Sequence, residues 1–457
     1  MRKFTLIWFG QLVSTIGSYM SHFALTLWAW ELTGSATALA LVGFFSLLPR
    51  IFISLFAGII VDRANRKHLM MLGDAIAAIS TLAILFLHLS GNLAIWHLYV
   101  AASIKGGFGQ IQQLAYSTSI TLLVPPQNYT RANSMNSVVH YGSNIIAPAI
   151  AGVLYPIIGL GGILPIDLAT FGIAIVTLVW IRIPQPTGRD GERGRRGDRE
   201  RLRSKELIPP VAQSPSPQVP KEEAVNRLAI LWDEVTFGIR YVWQRDSLRT
   251  LLLVTALFWF AHDLGGAIFS PMILALRDNN SQVLGAISSA AGIGGVTGAI
   301  VLSAWGGTKS RVKGMLAGFM GAGIAKTVFG LGQSLTIWLP AQFCSSLNFP
   351  LLGSSQKALW MEAVPPQLQG RVFAADELVI RLVSAIATLI AGVLSDRVLE
   401  PAMQSETILS SLFSPIFGRS AGAGMALLYV SCAIAMFAVG AIACRLPQFK
   451  RLEDEAC

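Results

Sequence analysis

Four charged side chains lie deep inside apolar stretches of the sequence, namely Arg50, Lys105, Asp263 and Arg381. A charge that faces lipid costs about 3 kcal/mol on insertion scales, so we expect each of them to face protein groups or a water-filled cavity. The cations could bind an anionic group. A desolvated carboxylate such as Asp263 could load and release a proton. The chemistry predicted here is therefore ligand binding and proton transfer.

Polar side chains recur at helical spacing beside these charges, which predicts polar helix faces turned towards the interior of a bundle. The predicted substrate cavity, whose cations would set the preference for substrate charge, consists of Arg50, Lys105, Gln112, His140, Asn144 and Arg381. The candidates for proton coupling are His262, Asp263 and Glu377. Glu377 precedes Arg381 by one helical turn and should partly neutralise it. For Asp263, a structural ion pair with Arg50 or Arg381 remains an equal alternative. Lys326 has no polar stripe around it and no explanation from the sequence.

The sequence shows no residue pattern typical of an enzyme or of a metal site. The six histidines and four cysteines show no metal-ligand spacing, and no phosphate-binding loop or nucleophile–base pair is evident. The net charge of +10 comes from basic residues in short loops between apolar runs, which argues against a nucleic-acid partner. We predict no enzyme activity, no cofactor and no metal.

The elements that must hold these charges are membrane helices. The chain has 457 residues, of which 53% are hydrophobic and only 13% charged, with a mean hydropathy of +0.57. Soluble domains carry about 25% charged residues, and one membrane crossing needs about 20 apolar residues. Twelve such runs fall near residues 4–30, 37–61, 69–89, 95–123, 132–156, 161–181, 248–276, 283–304, 314–333, 335–361, 372–395 and 420–444.

The distribution of basic residues predicts the orientation. If the N-terminus is cytoplasmic, most of the 35 Lys and Arg residues fall on the cytoplasmic side, and only Arg277, Arg397 and Arg419 fall in outer loops. Basic residues in short loops stay on the cytoplasmic side. Both termini are therefore predicted to be cytoplasmic, in a monomeric multi-pass protein of the cell inner membrane.

Composition divides the chain into five predicted parts. Residues 184–226 are rich in Arg, Glu, Gly, Pro and Ser, which is typical of a disordered cytoplasmic linker. Residues 227–247 have apolar side chains at helical spacing and predict an amphipathic helix on the membrane surface. They separate an N-terminal six-helix bundle, residues 1–183, from a C-terminal one, residues 248–445. A cytoplasmic tail follows at 446–457.

The two bundles repeat each other in sequence. VPPQ occurs at 124–127 and again at 364–367, and AGVL at 151–154 and again at 391–394, each 240 positions later. Gly58 maps onto Gly298 at the same offset. We therefore expect a tandem duplication with parallel halves and a substrate site between them near the middle of the membrane.

The loop after the second predicted span reads GIIVDRANRK, residues 58–67. It resembles the major facilitator superfamily motif G-x-x-x-D-[RK]-x-G-R-[RK], with Asn65 where the family usually has Gly; asparagine tolerates the left-handed backbone expected there. We expect the Asp62 carboxylate to dock on the positive end of the helix that starts near Arg371, and the cations to bind lipid phosphates or loop carboxylates. The predicted gating motif is Gly58, Asp62, Arg63, Arg66, Lys67 and Arg371.

The stretches FGQLVSTIGSYMSHFAL, TGSATALAL, AYSTSITLLVPPQNYTRANSMNS and IAGVLSDRVLEPAM resemble the macrolide-efflux-like branch, which is related to enterobactin exporters. The resemblance implies an all-α membrane protein with twelve helices in two bundles. It also implies a proton-coupled exporter of amphipathic, drug-like or siderophore-like molecules. The excess of cavity cations favours an anionic or zwitterionic substrate. The alternatives are a metabolite uptake carrier or uniporter, and a non-transporting membrane scaffold or sensor.

Overall fold

The N-terminal half is built from long helices. The computed structural model describes residues 2–125, 129–181, 236–365, 368–449 and 451, and the regular structure of these residues is helical throughout. The N-terminal half contains α1 (Arg2–Thr33), α2 (Ala36–Arg63), α3 (Arg66–Leu89), α4 (Ile95–Leu123) and α5 (Tyr129–Trp180). Gly159 interrupts α5 with a φ of 62°, which glycine adopts without strain. The two arms of α5 correspond to the predicted spans 132–156 and 161–181.

The C-terminal half is more often broken. It contains α6 (Asp246–Ala267), α7 (Phe269–Leu276), α8 (Ser281–Trp305), α9 (Arg311–Leu331), α10 (Leu335–Leu347), α11 (Phe349–Ala363), α12 (Gln369–Leu394), a π-helical turn (Ser395–Leu399), α13 (Glu400–Gln404), α14 (Ile408–Phe417) and α15 (Ala423–Ala443). The predicted spans at 248–276 and 335–361 are each split into two helices, at Ile268 and Asn348. The first break follows Gly265 and Gly266, so the helix is interrupted just after its glycine pair.

Eight helical segments among the described residues are long and apolar enough to cross a membrane. One of them, Gly142–Trp180, has 39 residues, and about 20 suffice for one crossing. Helices α1 and α4, with 32 and 29 residues, are also long enough but carry more polar side chains. The chain is an all-helical, multi-pass membrane protein. The count of twelve crossings and their orientation remain predictions.

Two helix pairs join the halves. Within the N-terminal half α1 packs along α5 and α2 along α4; within the C-terminal half α9 packs along α15 and α8 along α10. Between the halves, α5 packs along α8 and α2 along α12. We call these the α5–α8 seam and the α2–α12 seam.

The repeated AGVL tetrapeptide lies at both seams. A Cβ atom added at Gly152 would lie 2.8 Å from the carbonyl oxygen of Ser281 on α8, and one added at Gly392 would lie 2.5 Å from the Cα atom of Thr37 on α2. Small residues allow helix backbones to approach this closely. The sequence repeat therefore supplies the close backbone contact of each seam.

The predicted linker, residues 184–226, lies outside the described residues. Of the predicted surface helix, residues 236–243 are described and helical. This segment packs on the start of α12, because a Cβ atom added at Gly238 would meet the carbonyl oxygen of Arg371. The boundaries of the five predicted parts remain predictions.

Candidate functional site

The N-terminal half encloses a cavity of about 740 Å³. It lies among α1 to α5, and the other half adds Ala267, Ser270 and Pro271 from α6 and α7. The predicted cavity residues Arg50, Lys105 and Gln112 line it. The site is thus built mainly by one half rather than shared equally between the two.

The cavity lining changes from polar to apolar along the bundle. We call the end near the N-terminus, predicted to be cytoplasmic, the inner end. The side chains towards the inner end include Gln11, Arg50, Asp74, Gln112, Tyr116 and Asn136. Those towards the opposite, outer end include Leu25, Leu39, Ile84 and Leu98. Such a lining suits an elongated molecule with one polar and one apolar end.

Lys105 is tied to a buried carboxylate through a threonine. Its Nζ donates a hydrogen bond to Thr81 Oγ1 at 2.8 Å, and Thr81 Oγ1 donates to Asp167 Oδ2 at 3.2 Å. Ser18 Oγ donates to the other oxygen, Asp167 Oδ1, at 3.3 Å. Asp167 is fully buried and interacts electrostatically with Lys105. The charge of Lys105 is therefore compensated within the protein.

Gln112 holds a second buried carboxylate in place. Asp74 is only 2% exposed, and it accepts hydrogen bonds from Gln112 Nε2 at 2.5 Å and from Gln11 Nε2 at 3.2 Å. These contacts join α1, α3 and α4 at the polar end of the cavity. The role of Gln112 seen here is to orient Asp74.

Arg50 and Arg381 meet across the α2–α12 seam, but only Arg50 lines the cavity. The two guanidinium groups are electrostatic neighbours. Arg381 Nη2 donates to Glu377 Oε1 at 2.6 Å, as the one-turn spacing predicts. Among the residues described, the cavity lining does not include Arg381, so the three predicted cations do not share one cavity wall. Glu377, a candidate for proton coupling, is engaged in this pair.

The last two predicted cavity residues lie on α5. The Asn144 side chain hydrogen-bonds to Tyr19, which lines the cavity beside Arg50. The side chain of His140 lies outside the described part of the structure.

His262 and Asp263 form a separate polar cluster in the C-terminal half. Asp263 Oδ1 lies 3.0 Å from His262 Nδ1, and Asp263 Oδ2 accepts a hydrogen bond from Ser384 Oγ on α12. The imidazole packs beside Trp259 and Phe349, with ring centroids 5.1 and 4.9 Å away. Asp263 is therefore held at the contact of α6 and α12, away from the cavity lining.

Lys326, which the sequence left unexplained, belongs to the same cluster. It is 8% exposed, interacts electrostatically with Asp263, and has its Nζ 5.6 Å from the centroid of the Tyr429 ring. Its position on α9, far from Asp263 in sequence, explains why no local pattern indicated it. A cation inside an apolar run was the one available signal.

Two cations of the loop after α2 donate hydrogen bonds to the ends of other helices. Arg66 Nη1 donates to the carbonyl of Thr118 at 2.9 Å, and Lys67 Nζ donates to that of Val179 at 2.9 Å. Both carbonyls lie near the C-terminal ends of their helices, which favour cations. The two backbone contacts fix the loop against α4 and α5, and binding of the loop cations to lipid phosphates or loop carboxylates stays a prediction.

Asn65 caps α3 instead of forming a left-handed turn. Its φ of −69° is ordinary extended backbone, so the expectation of a left-handed residue was wrong. Its side chain accepts hydrogen bonds from the N–H groups of Lys67 and His68. The guanidinium carbon of Arg371 lies 5.3 Å from the centroid of the Phe237 ring. The side chains of Asp62 and Arg63, and Gly58, lie outside the description.

A second carboxylate motif lies at the outer end of the α2–α12 seam, and the sequence reasoning missed it. Asp396 Oδ2 accepts hydrogen bonds from Ser35 Oγ at 2.6 Å and from Thr37 N at 2.8 Å, and Oδ1 accepts one from Ala36 N at 3.1 Å. Asp396 thereby caps the N-terminus of α2, where an anion is favoured. The signal was present in GVLSDR at 392–397, which repeats the G-x-x-x-D-R spacing of residues 58–63.

Comparisons with known proteins agree with this architecture. Macrolide efflux protein A of Streptococcus pyogenes is 27% identical over 87% of this chain and 90% of its own length. The multidrug efflux pump Tap of Mycolicibacterium fortuitum is 22% identical over 98% of this chain and 96% of its own. A bacterial homologue of the iron transporter ferroportin, solved in an inward-facing state, has a TM-score of 0.65 at 13% identity, covering 97% of this chain and 99% of that one.

The family model for the Major Facilitator Superfamily matches residues 7–388. This match covers most of the chain, including the α5–α8 seam and the motif after α2. The chain belongs to the Major Facilitator Superfamily.

Proposed function

We propose that this transporter is a proton-coupled exporter of amphipathic small molecules that works by alternating access. The cavity carries the proposal, because it places charged and apolar side chains side by side inside a membrane bundle. Export is supported by the relatives named for macrolide and multidrug efflux. Drug-like or siderophore-like amphiphiles are the substrates that this combination favours.

Proton coupling is assigned to Asp263. Its carboxylate is shared between His262 and Ser384, with Lys326 as the nearby cation. When a proton binds Asp263, the attraction on Lys326 is lost and the hydrogen bonds across the α6–α12 contact change. Protonation is thereby linked to the position of α12, which also forms a seam with the substrate-binding half.

Alternating access is assigned to the two ends of the α2–α12 seam. At the outer end, Asp396 of the C-terminal half holds the N-terminus of α2. At the inner end, Asp62 of α2 would dock on the start of α12 in the outward-open state. The helices run in opposite directions, so each would carry a G-x-x-x-D-R carboxylate at its C-terminal end that binds the N-terminal end of the other. Only one end would be closed at a time.

The remaining parts of the arrangement follow from the same proposal. The chain crosses the cell inner membrane twelve times in two parallel-duplicated bundles, with both termini cytoplasmic, and acts as a monomer. Residues 184–226 connect the bundles on the cytoplasmic side.

Transport into inside-out membrane vesicles tests the function. Vesicles with and without the protein would be given a fluorescent amphiphile or a labelled macrolide, and accumulation would be followed with and without an imposed pH gradient. We expect accumulation that needs both the protein and the gradient. A flux indifferent to the gradient would indicate a uniporter. If no substrate moves but deletion of residues 184–226 alters the cellular phenotype, the scaffold alternative gains support.

A further inference from the structure

The three cations predicted to bind substrate differ in how the protein compensates them. Lys105 is linked to Asp167 through Thr81, and Arg381 is paired with Glu377. Among the described residues no carboxylate pairs with Arg50. Its Nε is buried and has no hydrogen-bond partner in the part of the chain that the structure describes, and its electrostatic neighbours there are Arg381, which repels it, and the phenol of Tyr19.

An uncompensated cation in such a place has a physical cost. Burying a charge without a counter-ion is unfavourable, and a second cation nearby increases the cost. An anionic group entering the cavity would offset both effects. The planar guanidinium offers paired N–H donors that fit a carboxylate or phosphate group.

The surroundings of Arg50 define how such a molecule would lie. Of the α2 residues in the cavity lining, Arg50 is the one nearest the polar inner end, and Tyr19 lies beside it. The outer end is lined by Leu25, Leu39 and Leu98. Asp74, the acidic side chain of this lining, is occupied by two amide donors. The anionic group would therefore face inwards and the apolar body would face outwards.

We propose that Arg50 is the anion-binding residue of the cavity and that the preferred substrate is an amphiphile with a single anionic group, bound with that group towards the inner end. The proposal rests on the transport function above and specifies its substrate class. The sequence predicted that Arg50, Lys105 and Arg381 together set the preference for substrate charge. The structure restricts this role to Arg50, because Asp167 and Glu377 compensate the other two.

The test uses three fluorescent amphiphiles with one apolar body and different ends, a carboxylate, the corresponding primary amide and the corresponding amine. Binding would be measured on the full chain in nanodiscs of phosphatidylcholine, so that no anionic lipid headgroup competes. We expect the carboxylate to bind at least about tenfold more tightly than the amide. Arg50→Gln should remove that ratio, and Arg50→Lys should keep part of it.

Arg249→Gln is the control, since it removes an arginine that is paired with Asp246 and does not belong to the described cavity lining. It should leave the carboxylate-to-amide ratio within about twofold of the wild-type value. Equal binding of carboxylate and amide by the wild type, or an unchanged ratio in Arg50→Gln, would overturn the assignment. If Arg50→Gln does not fold, the proposal is tested by the carboxylate-to-amide ratio of the wild type and of Arg50→Lys. A wild-type ratio near one, or the full wild-type ratio in a variant that lacks the guanidinium, would then overturn it.

The same probes in inside-out vesicles separate the two proposals. Gradient-driven uptake of the amide or amine that equals or exceeds uptake of the carboxylate would leave the exporter standing and reject the anionic substrate. Uptake of none of the three, with normal membrane insertion, would reject the exporter proposal and this one with it.

Discussion

The two halves of the protein place a pair of equivalent histidines in different surroundings. His22 and His262 occupy equivalent positions, 240 residues apart. His22 faces the cavity of the N-terminal half, whereas His262 packs under Trp259 and Phe349 and contacts Asp263. The N-terminal half keeps its histidine at the cavity, whereas the C-terminal half packs its histidine against aromatic rings and a carboxylate.

The helix packing, in contrast, is the same at equivalent positions of the two halves. Gly152 and Gly392 lie at the same position of the repeat, and each allows a backbone contact with the opposite half. A duplication can keep the small residues on which packing depends while the charged residues diverge. This difference suggests that binding belongs mainly to the N-terminal half and coupling to the C-terminal half.

The largest expected effect comes from Asp263→Asn. It removes the proposed proton carrier, so gradient-driven accumulation should fall to the level of vesicles without the protein, while substrate binding and passive exchange persist. Vesicle uptake with and without a pH gradient, together with counterflow, measures both properties.

Asp74→Asn is the corresponding change in the other half, since Asp74 is a buried carboxylate that accepts hydrogen bonds from two uncharged amides at the cavity. It should change substrate affinity but keep the dependence on the gradient. If Asp74→Asn abolishes coupling and Asp263→Asn does not, the division between the halves is reversed.

A second pair of variants tests whether the two seams depend equally on close backbone packing. Valine at Gly392 or at Gly152 would push the seam backbones apart, which should cost about 1–3 kcal/mol in each case. Thermal unfolding of purified protein should show similar losses for both variants. The control is Gly109→Ala, where an added Cβ meets nothing within 4 Å. A large loss at one seam only would show that the duplication did not preserve packing.

Asp396→Asn should open the outer end of the α2–α12 seam more often. Loss of the anion at the α2 N-terminus should shift the equilibrium by about 1 kcal/mol, or roughly fivefold. The readout is the labelling rate of Leu39→Cys by a membrane-impermeant maleimide, in a chain whose native cysteines have been replaced.

Glu400→Gln serves as the control for Asp396→Asn. Glu400 lies one turn further on and accepts hydrogen bonds from Met425 N at 2.9 Å and Gly422 N at 3.3 Å, both within its own half. It should leave the labelling rate at Leu39→Cys unchanged. Equal acceleration by both variants would indicate general loosening rather than a seam contact.

The smallest expected effect compares the equivalent histidines. His22→Gln should change substrate affinity by about twofold to threefold without altering the pH dependence of transport. His262→Gln should alter the pH dependence of transport and leave substrate affinity unchanged, because its imidazole contacts the proposed proton carrier. Transport rates measured across a pH series would distinguish the two variants. Identical pH profiles for both would contradict the view that the two histidines have different roles.

The elements of the fold could largely be predicted, since a membrane helix is indicated by a continuous apolar run. The helix break at Asn348 was not predicted, because hydropathy continues across it. Only part of the polar cluster in the C-terminal half was predicted from the sequence. His262 and Asp263 are adjacent in sequence, whereas Lys326 reaches them from another helix through packing that no local pattern encodes.

The sequence by itself determined that this is a helical membrane protein, that its halves are repeated, and that a few charges lie inside it. Hydropathy and repeats are properties of consecutive residues, so they can be read along the chain. Which cation stays uncompensated was decided only by the tertiary structure. Lys105 meets Asp167, 62 residues away, whereas Arg50 meets Arg381 of the opposite half. Such pairings depend on how helices rotate and pack, because electrostatic compensation acts between neighbours in space.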